Sequence, residues 1–206
     1  MRMVSRTLKT VRRCFRAVGS FLRRDEGMAA VEFALLVPLM ITLFILTLEF
    51  AQAIDTSRKL SRMTVQIGDL ITQQPDVVPG DLQSIVRIAE ATMQPYNRSV
   101  PAVRVTGVDI STGSAPQPKV AWSRCYYDCS ALPAATKGAT VALDNDIKIA
   151  GMYLIRVESR LTYRPIIAWS EAARQLLGVL SLNSIVMTER YDQHPRVSTK
   201  IPCNGC

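Results

Sequence analysis

The sequence predicts an α+β protein: a long N-terminal helix, transmembrane in its first half and amphipathic in its second, followed by an antiparallel β-sheet domain with short helices. Three observations carry that expectation. From Phe33 to Leu48 no residue is charged, and residues 28–50 as a helix span roughly 34 Å, enough for a hydrocarbon core of about 30 Å. Beyond Ala51, the residues Leu60, Met63, Ile67, Leu70 and Ile71 recur at helical spacing, with Arg58, Lys59, Arg62 and Asp69 on other faces. Between Tyr153 and Tyr163, apolar and polar residues alternate as in a strand. The chain of 206 residues then divides into a basic leader (1–27), a transmembrane helix (28–50), an amphipathic extension (51–74), a second helix and connection (75–100), and an αβ domain with a cysteine-bearing tail (101–206).

The leader holds Arg2, Arg6, Lys9, Arg12, Arg13, Arg16, Arg23 and Arg24 against Asp25 and Glu26, which is +6 of the formal net charge of +8. Basic residues beside a span mark the cytoplasmic side, so the N-terminus is expected inside and the domain after the span outside. The charge is thus a topology signal that can also touch anionic lipid. It leaves no basic stripe with interleaved aromatics in the rest of the chain, and nucleic-acid binding is not expected. A cleaved signal peptide is a weaker reading: its apolar region usually runs about 7 to 15 residues, and only Ala51-Gln52-Ala53 offers a small-residue site.

Glu32 stands at the start of the apolar run. An acid at the centre of a spanning helix costs about 2.5 to 3.5 kcal/mol on insertion scales and less near an end, so Glu32 either snorkels to the interface or has a functional partner. Pro38 lacks a backbone N–H and disturbs the carbonyl of Ala34, which predicts local loosening or a kink. Gln73-Gln74-Pro75 ends the amphipathic helix, because the residue before proline avoids the helical region. Asp81 is the expected N-cap of a second helix with Leu82, Ile85, Val86, Ala89 and Met93 on one stripe, stopped at Pro95.

In the domain, Val103 and Val105 share one phase and Val108 and Ile110 the other, which suggests a bulge at Gly107. Val120, Trp122 and Tyr126 mark a second strand. The strand Tyr153–Tyr163 is expected to bury Tyr153, Ile155, Val157, Leu161 and Tyr163 and to wet Leu154, Arg156, Glu158, Arg160 and Thr162. Trp169, Ala172, Ala173, Leu176 and Leu177 predict a short helix stopped by Gly178, and residues 185–191 a last strand. The loops 111–118 and 132–146 favour antiparallel pairing with hairpin connections.

Of the five cysteines, Cys14 lies in the leader. Cys125, Cys129, Cys203 and Cys206 would face an oxidising compartment, where disulfides are expected. Local pairing of Cys125 with Cys129 and Cys203 with Cys206 is favoured by its small loop-closure cost, while crossed pairing and a four-thiolate zinc site remain rivals. Cys203-Asn204-Gly205-Cys206 lies outside the strand–helix setting of thioredoxin-like motifs. His194, the single histidine, is expected at the surface, with no nucleophile spaced to use it. Glu158 and Glu189 are expected to be solvated or paired. No catalytic, cofactor-binding or metal residue is predicted, and the chain is not expected to be an enzyme.

Gly27, followed by four residues and then Glu32 and Phe33 directly before an apolar segment, resembles the processing site of type IV prepilins. The longer string Ala30-Val31-Glu32-Phe33-Ala34-Leu35-Leu36-Val37-Pro38-Leu39-Met40, with Leu48-Glu49-Phe50 behind it, resembles the TadE-like proteins of the tight-adherence (Tad) pilus system. Trp122-Ser123-Arg124, the strand from Tyr153 into Leu161-Thr162-Tyr163-Arg164-Pro165, and Tyr191 before Pro195-Arg196 extend that likeness more weakly. The resemblance implies a pilin-like fold and a pseudopilin role in biogenesis of a Tad (Flp-type) pilus. It also implies anchorage in the bacterial inner membrane with the domain in the periplasm, and partners among prepilin peptidase, other pilins or pseudopilins and Tad inner-membrane assembly proteins. Processing would cut after Gly27 and make Met28 the new N-terminus, and Glu32 would meet the free amine of a neighbouring subunit. An uncleaved, membrane-anchored periplasmic binding or scaffold module is the alternative reading of the same residues.

Overall fold

The computed structural model describes residues 26–165 and 184–206. Cys14 with the rest of the leader up to Asp25, and the helix expected around Trp169, Ala172, Ala173, Leu176, Leu177 and Gly178, lie outside the described residues. Contacts within the chain divide it into two units with their boundary between Phe50 and Ala51.

Helix α1 covers Glu26–Thr72 and is unbroken at Pro38, so the proline is accommodated without ending the helix. In the first unit its apolar side chains have no protein cover: Phe33 is 68% and Leu35 73% exposed. A side chain apolar all round the helix needs an apolar solvent, and among the described residues this is the one helix long and apolar enough to cross a membrane. Its two internal hydroxyls are satisfied by the helix itself, with Thr42 Oγ1 donating to the Pro38 carbonyl at 2.8 Å and Thr47 Oγ1 to the Phe44 carbonyl at 2.7 Å.

In the second unit the expected stripe of α1 is buried, with Leu60, Met63, Ile67 and Ile71 at 0% exposure; Leu70 is only partly covered. The buried Thr64 hydroxyl donates to the Leu60 carbonyl and pairs with Ser159 Oγ, at 2.8 and 2.9 Å. Helix α2 (Pro79–Glu90) lays Leu82, Val86 and Ala89 on the same core, and a 3-10 turn, Ala91–Met93, adds Met93. Its N-cap is Val78, with no side-chain cap, so the assignment of Asp81 as N-cap is corrected. The reason is Pro79, whose fixed φ and missing N–H suit the first helical position and place Asp81 inside the first turn.

Four strands, β1 (Ala102–Ile110), β2 (Pro118–Tyr126), β3 (Tyr153–Tyr163) and β4 (Ile185–Gln193), form one antiparallel sheet in the order β2-β1-β3-β4. Strand β4 runs two residues past the expected Tyr191. β1 and β2 form a hairpin, whereas β3 reaches β1 from the opposite side after the long connection 127–152. The face of β1 and β3 bearing Val103, Val105, Ile155, Val157, Leu161 and Tyr163 meets α1 and α2 in the main core.

The opposite face is wet at Arg160 and Thr162, as expected, but buried at Leu154 and Arg156, which corrects the expectation for those two residues. Leu154 packs there with Val108 and Ile110 beneath Val141, Leu143 and Met152 of the connection. Arg156, 5% exposed, reaches Asp192 with Nε and a second nitrogen at 2.7 and 2.9 Å and donates to the Ala142 carbonyl at 3.0 Å. A guanidinium can be buried here because its donors meet a bidentate carboxylate and a carbonyl. Glu158 is likewise paired, with Arg104 at 2.6 Å.

The two phases of β1 therefore reflect two cores, and the irregularity belongs to β2. Gly107 opposes Trp122 and Val108 opposes Val120, leaving Ala121 as the extra residue, while the register of β1 with β3 is uninterrupted. Gly107 is needed for space: a Cβ there would overlap the Tyr153 hydroxyl and lie 2.6 Å from Trp122 Nε1. Gly107→Ala should lower the stability of the domain by about 1 to 3 kcal/mol through overpacking. Urea unfolding of the full chain in detergent micelles measures this, and an unchanged midpoint would contradict the packing described.

Candidate functional site

The residues singled out for processing and assembly lie at the start of α1. Gly27 follows the first helical residue, Met28 and Phe33 are 61% and 68% exposed, and Glu32 is exposed. Among the described residues no hydrogen bond or ion pair reaches the Glu32 carboxylate. Residues four apart share one helix face, so the Met28 and Glu32 positions sit one above the other, roughly 5 to 6 Å between Cβ atoms.

The four cysteines of the second unit form two separate local pairs. Cys125 at the end of β2 and Cys129 lie at disulfide distance with Cα atoms 5.5 Å apart, and so do Cys203 and Cys206, at 5.5 Å. The first pair brackets a tight turn: Tyr127 has φ 65°, and Asp128 Oδ1 accepts from the backbone N–H groups of Ser130 and Ala131, both at 3.1 Å. The Tyr127 hydroxyl donates to Glu90 of α2. Among the described residues no group of three His, Cys, Asp or Glu side chains is gathered for a metal ion.

The segment after β4 is where the structure goes furthest beyond the sequence. Ile201 is fully buried in the main core, and its carbonyl accepts from both Trp122 Nε1 at 2.8 Å and the Tyr153 hydroxyl at 3.0 Å. The backbone then pairs with the link between α1 and α2: Val77 N–H donates to the Pro202 carbonyl at 3.1 Å and Asn204 N–H to the Val77 carbonyl at 2.9 Å. Arg196 N–H caps the Thr72 carbonyl at 2.9 Å, its guanidinium meets Asp69 at 2.6 Å, and Arg124 donates to the Gly205 carbonyl at 2.7 Å. A lone Ile between Lys200 and Pro202 has no periodicity to announce it; only its isolation in a polar stretch marks it. His194, expected at the surface, is half-buried with Nδ1 3.2 Å from the Tyr153 carbonyl, because the segment turns back across the sheet.

Burial pushes the Tyr126 hydroxyl up to about 12, with Arg124 opposing the shift. Burial also raises Tyr153 well above the ordinary phenol range, with the Trp122 indole opposing and Asp109 adding to it.

The apolar helix and the acid at its head come with a sequence relationship. Residues 27–66 match the TadE-like protein family. The TadE-like match begins at Gly27, takes in Met28, Glu32, Phe33 and the whole span, and ends after the first buried residues of the stripe, Leu60 and Met63. The sheet lies outside it, so Trp122-Ser123-Arg124 and the Leu161–Pro165 stretch carry no family match. No curated protein and no solved structure matches the chain.

Two expectations follow from this geometry. Mass spectrometry of unreduced peptides should recover Cys125 joined to Cys129 and Cys203 joined to Cys206, and peptides joining Cys125 or Cys129 to the later pair would contradict the arrangement. Because the folded state holds Tyr126 and Tyr153 as neutral phenols, the stabilisation they supply is complete below the ordinary phenol pKa of 10.0 and is lost as pH rises through their raised folded values. Stability should therefore be flat from about pH 7 to 9 and fall above about pH 10. Tyr153→Phe should reduce that alkaline slope in urea titrations, and an unaltered slope would exclude Tyr153 as its source.

Proposed function

We propose that the chain is a pseudopilin-like component of Tad pilus biogenesis, held in the bacterial inner membrane by α1 with its N-terminus in the cytoplasm and its sheet domain in the periplasm. The observation that carries this reading is the family match starting at Gly27, combined with an uncovered apolar helix in which Glu32, the acid after Gly27 and before the charge-free run, has no partner among the described residues. The TadE-like family points to Tad pilus systems and to other Tad components as partners. The eight basic residues of the leader support the orientation.

Processing by a prepilin peptidase after Gly27 fits the physical setting. A peptidase needs an extended backbone at the bond it cuts, and the first turn of a helix is the easiest to open, since its leading N–H groups have no intrahelical partner. Glycine lets the enzyme approach the backbone closely. Cleavage would create an amine at Met28, one turn before Glu32. Two charges in a medium of low polarity offset each other only when paired, so the mature end of one subunit and the Glu32 of another would favour association. The reading needs no catalytic group in this chain; its activity is assembly.

Native protein should begin at Met28, and a strain lacking the peptidase should retain the 27-residue leader; an intact leader in the native host would favour an uncleaved periplasmic scaffold instead. Glu32→Gln should insert and be processed normally while piliation is lost. Normal piliation in that variant would make Glu32 a boundary charge without an assembly role.

A further inference from the structure

The two disulfides stand in opposite electrostatic settings. Cys125 and Cys129 enclose Asp128, whose carboxylate holds the turn, and Tyr127 beside it bonds to Glu90. The cation opposite Cys125 on β1, Arg104, is matched by Glu158. Cys203 and Cys206 instead meet Arg124. Successive side chains of a strand point to opposite faces, so Arg124 lies on the face of β2 away from Cys125. Its guanidinium donates to the carbonyl of Gly205, the residue before Cys206, at 2.7 Å. Arg124 Nε is buried with no hydrogen-bond partner, and no carboxylate pairs with this guanidinium among the described residues.

The later pair is also unequally covered. Cys203 is partly buried against the main core, whereas Cys206 is exposed. The turn between them does not rest on the sulfur bridge: Ile201 is anchored in the core, and the Val77 backbone holds the Pro202 carbonyl and the Asn204 N–H. A disulfide closing so short a loop adds less to stability than a long-range one, and the fold around it has other ties. A nearby positive charge favours thiolate over thiol, which draws in an attacking thiolate and eases departure of the leaving sulfur.

We propose that Cys203–Cys206 is a thiol-exchange site for a protein dithiol, with Arg124 stabilising the thiolate of Cys206. A thiolate of the partner protein attacks the exposed Sγ of Cys206, the S–S bond breaks, and its electron pair leaves on Cys203 Sγ, which takes up a proton. The second thiol of the partner protein gives its proton to water, attacks the first partner sulfur of the mixed disulfide and releases Cys206 as thiolate. The partner ends as a disulfide and this chain as the reduced pair, two electrons having passed; the reverse sequence reoxidises it. Arg124 supplies the positive charge that a helix N-terminus supplies in thioredoxin-like motifs. The assignment goes beyond the pilus reading and does not depend on leader cleavage or on Glu32.

The test uses the oxidised full chain in detergent micelles, with dithiothreitol as the dithiol and mass spectrometry of maleimide-quenched digests. Cys203–Cys206 should open about ten-fold or more faster than Cys125–Cys129, and the melting transition should persist once it has opened. Glutathione disulfide should add to Cys206 in Cys203→Ser about ten-fold or more faster than to Cys203 in Cys206→Ser. Alkylation of Cys206 in Cys203→Ser should be half-maximal below the free-cysteine value of about 8.5. Arg124→Gln should raise that value and slow opening of this pair about five-fold, with the Cys125–Cys129 rate unchanged, and Arg124→Lys should restore most of the loss. Equal opening rates, faster addition at Cys203, loss of the fold when the first bond opens, or an alkylation profile that Arg124→Gln does not move would each overturn the proposal.

Discussion

The sheet domain depends on the burial of four side chains of α1, Leu60, Met63, Ile67 and Ile71, against one face of β1 and β3. Each fully buried side chain of this size contributes about 1.5 to 3 kcal/mol, so this stripe alone matters as much as the net stability of a typical domain. It also decides which face of the sheet is inward, and hence that Thr64 must find Ser159 and that Gly68 must be small. A Cβ on Gly68 would stand 3.3 Å from Tyr191 and Gln193 of β4, so the absence of a side chain lets helix and strand approach.

What could be read from the sequence follows from how locally each feature is encoded. The span, the α1 stripe, the second helix and the strand from Tyr153 to Tyr163 each have a period within a single element, and a period survives without knowledge of neighbours. The second core was hidden because Leu154, Val108 and Ile110 are covered by residues 141–152, an irregular segment that no alternation describes. Arg156 reads as solvent-facing by its charge, and only the arrival of Asp192 from β4 makes its burial affordable. The Val78 cap and the position of Asp81 depended on weighing Pro79 against a better capping side chain. At the candidate site, Gly27, Glu32 and Phe33 were visible because linear spacing carries them. Ile201 enters the main core only when the segment after β4 is laid against Trp122 and Tyr153.

Gly107, Trp122, Tyr153 and Ile201 form one interlocked group. The missing side chain at Gly107 makes room for an indole and a phenol, and both rings direct their polar atoms to a single carbonyl, at 2.8 and 3.0 Å. A carbonyl has two lone pairs, so this one acceptor can satisfy two buried donors. The bulge at Ala121 supports the group by turning Trp122 toward the helix-facing side while Val120 remains opposite Val108.

The pairing of Val77 with residues 202–204 bears on how the domain comes to be folded. Residues 73–77 follow α1 directly, yet their partners lie far along the chain, 128 positions later in the case of Asp76 and Asn204. On the proposed topology, the core cannot close over Ile201 until the chain as far as Asn204 has crossed the membrane. Until then Trp122 Nε1 and the Tyr153 hydroxyl lack the one carbonyl to which both donate.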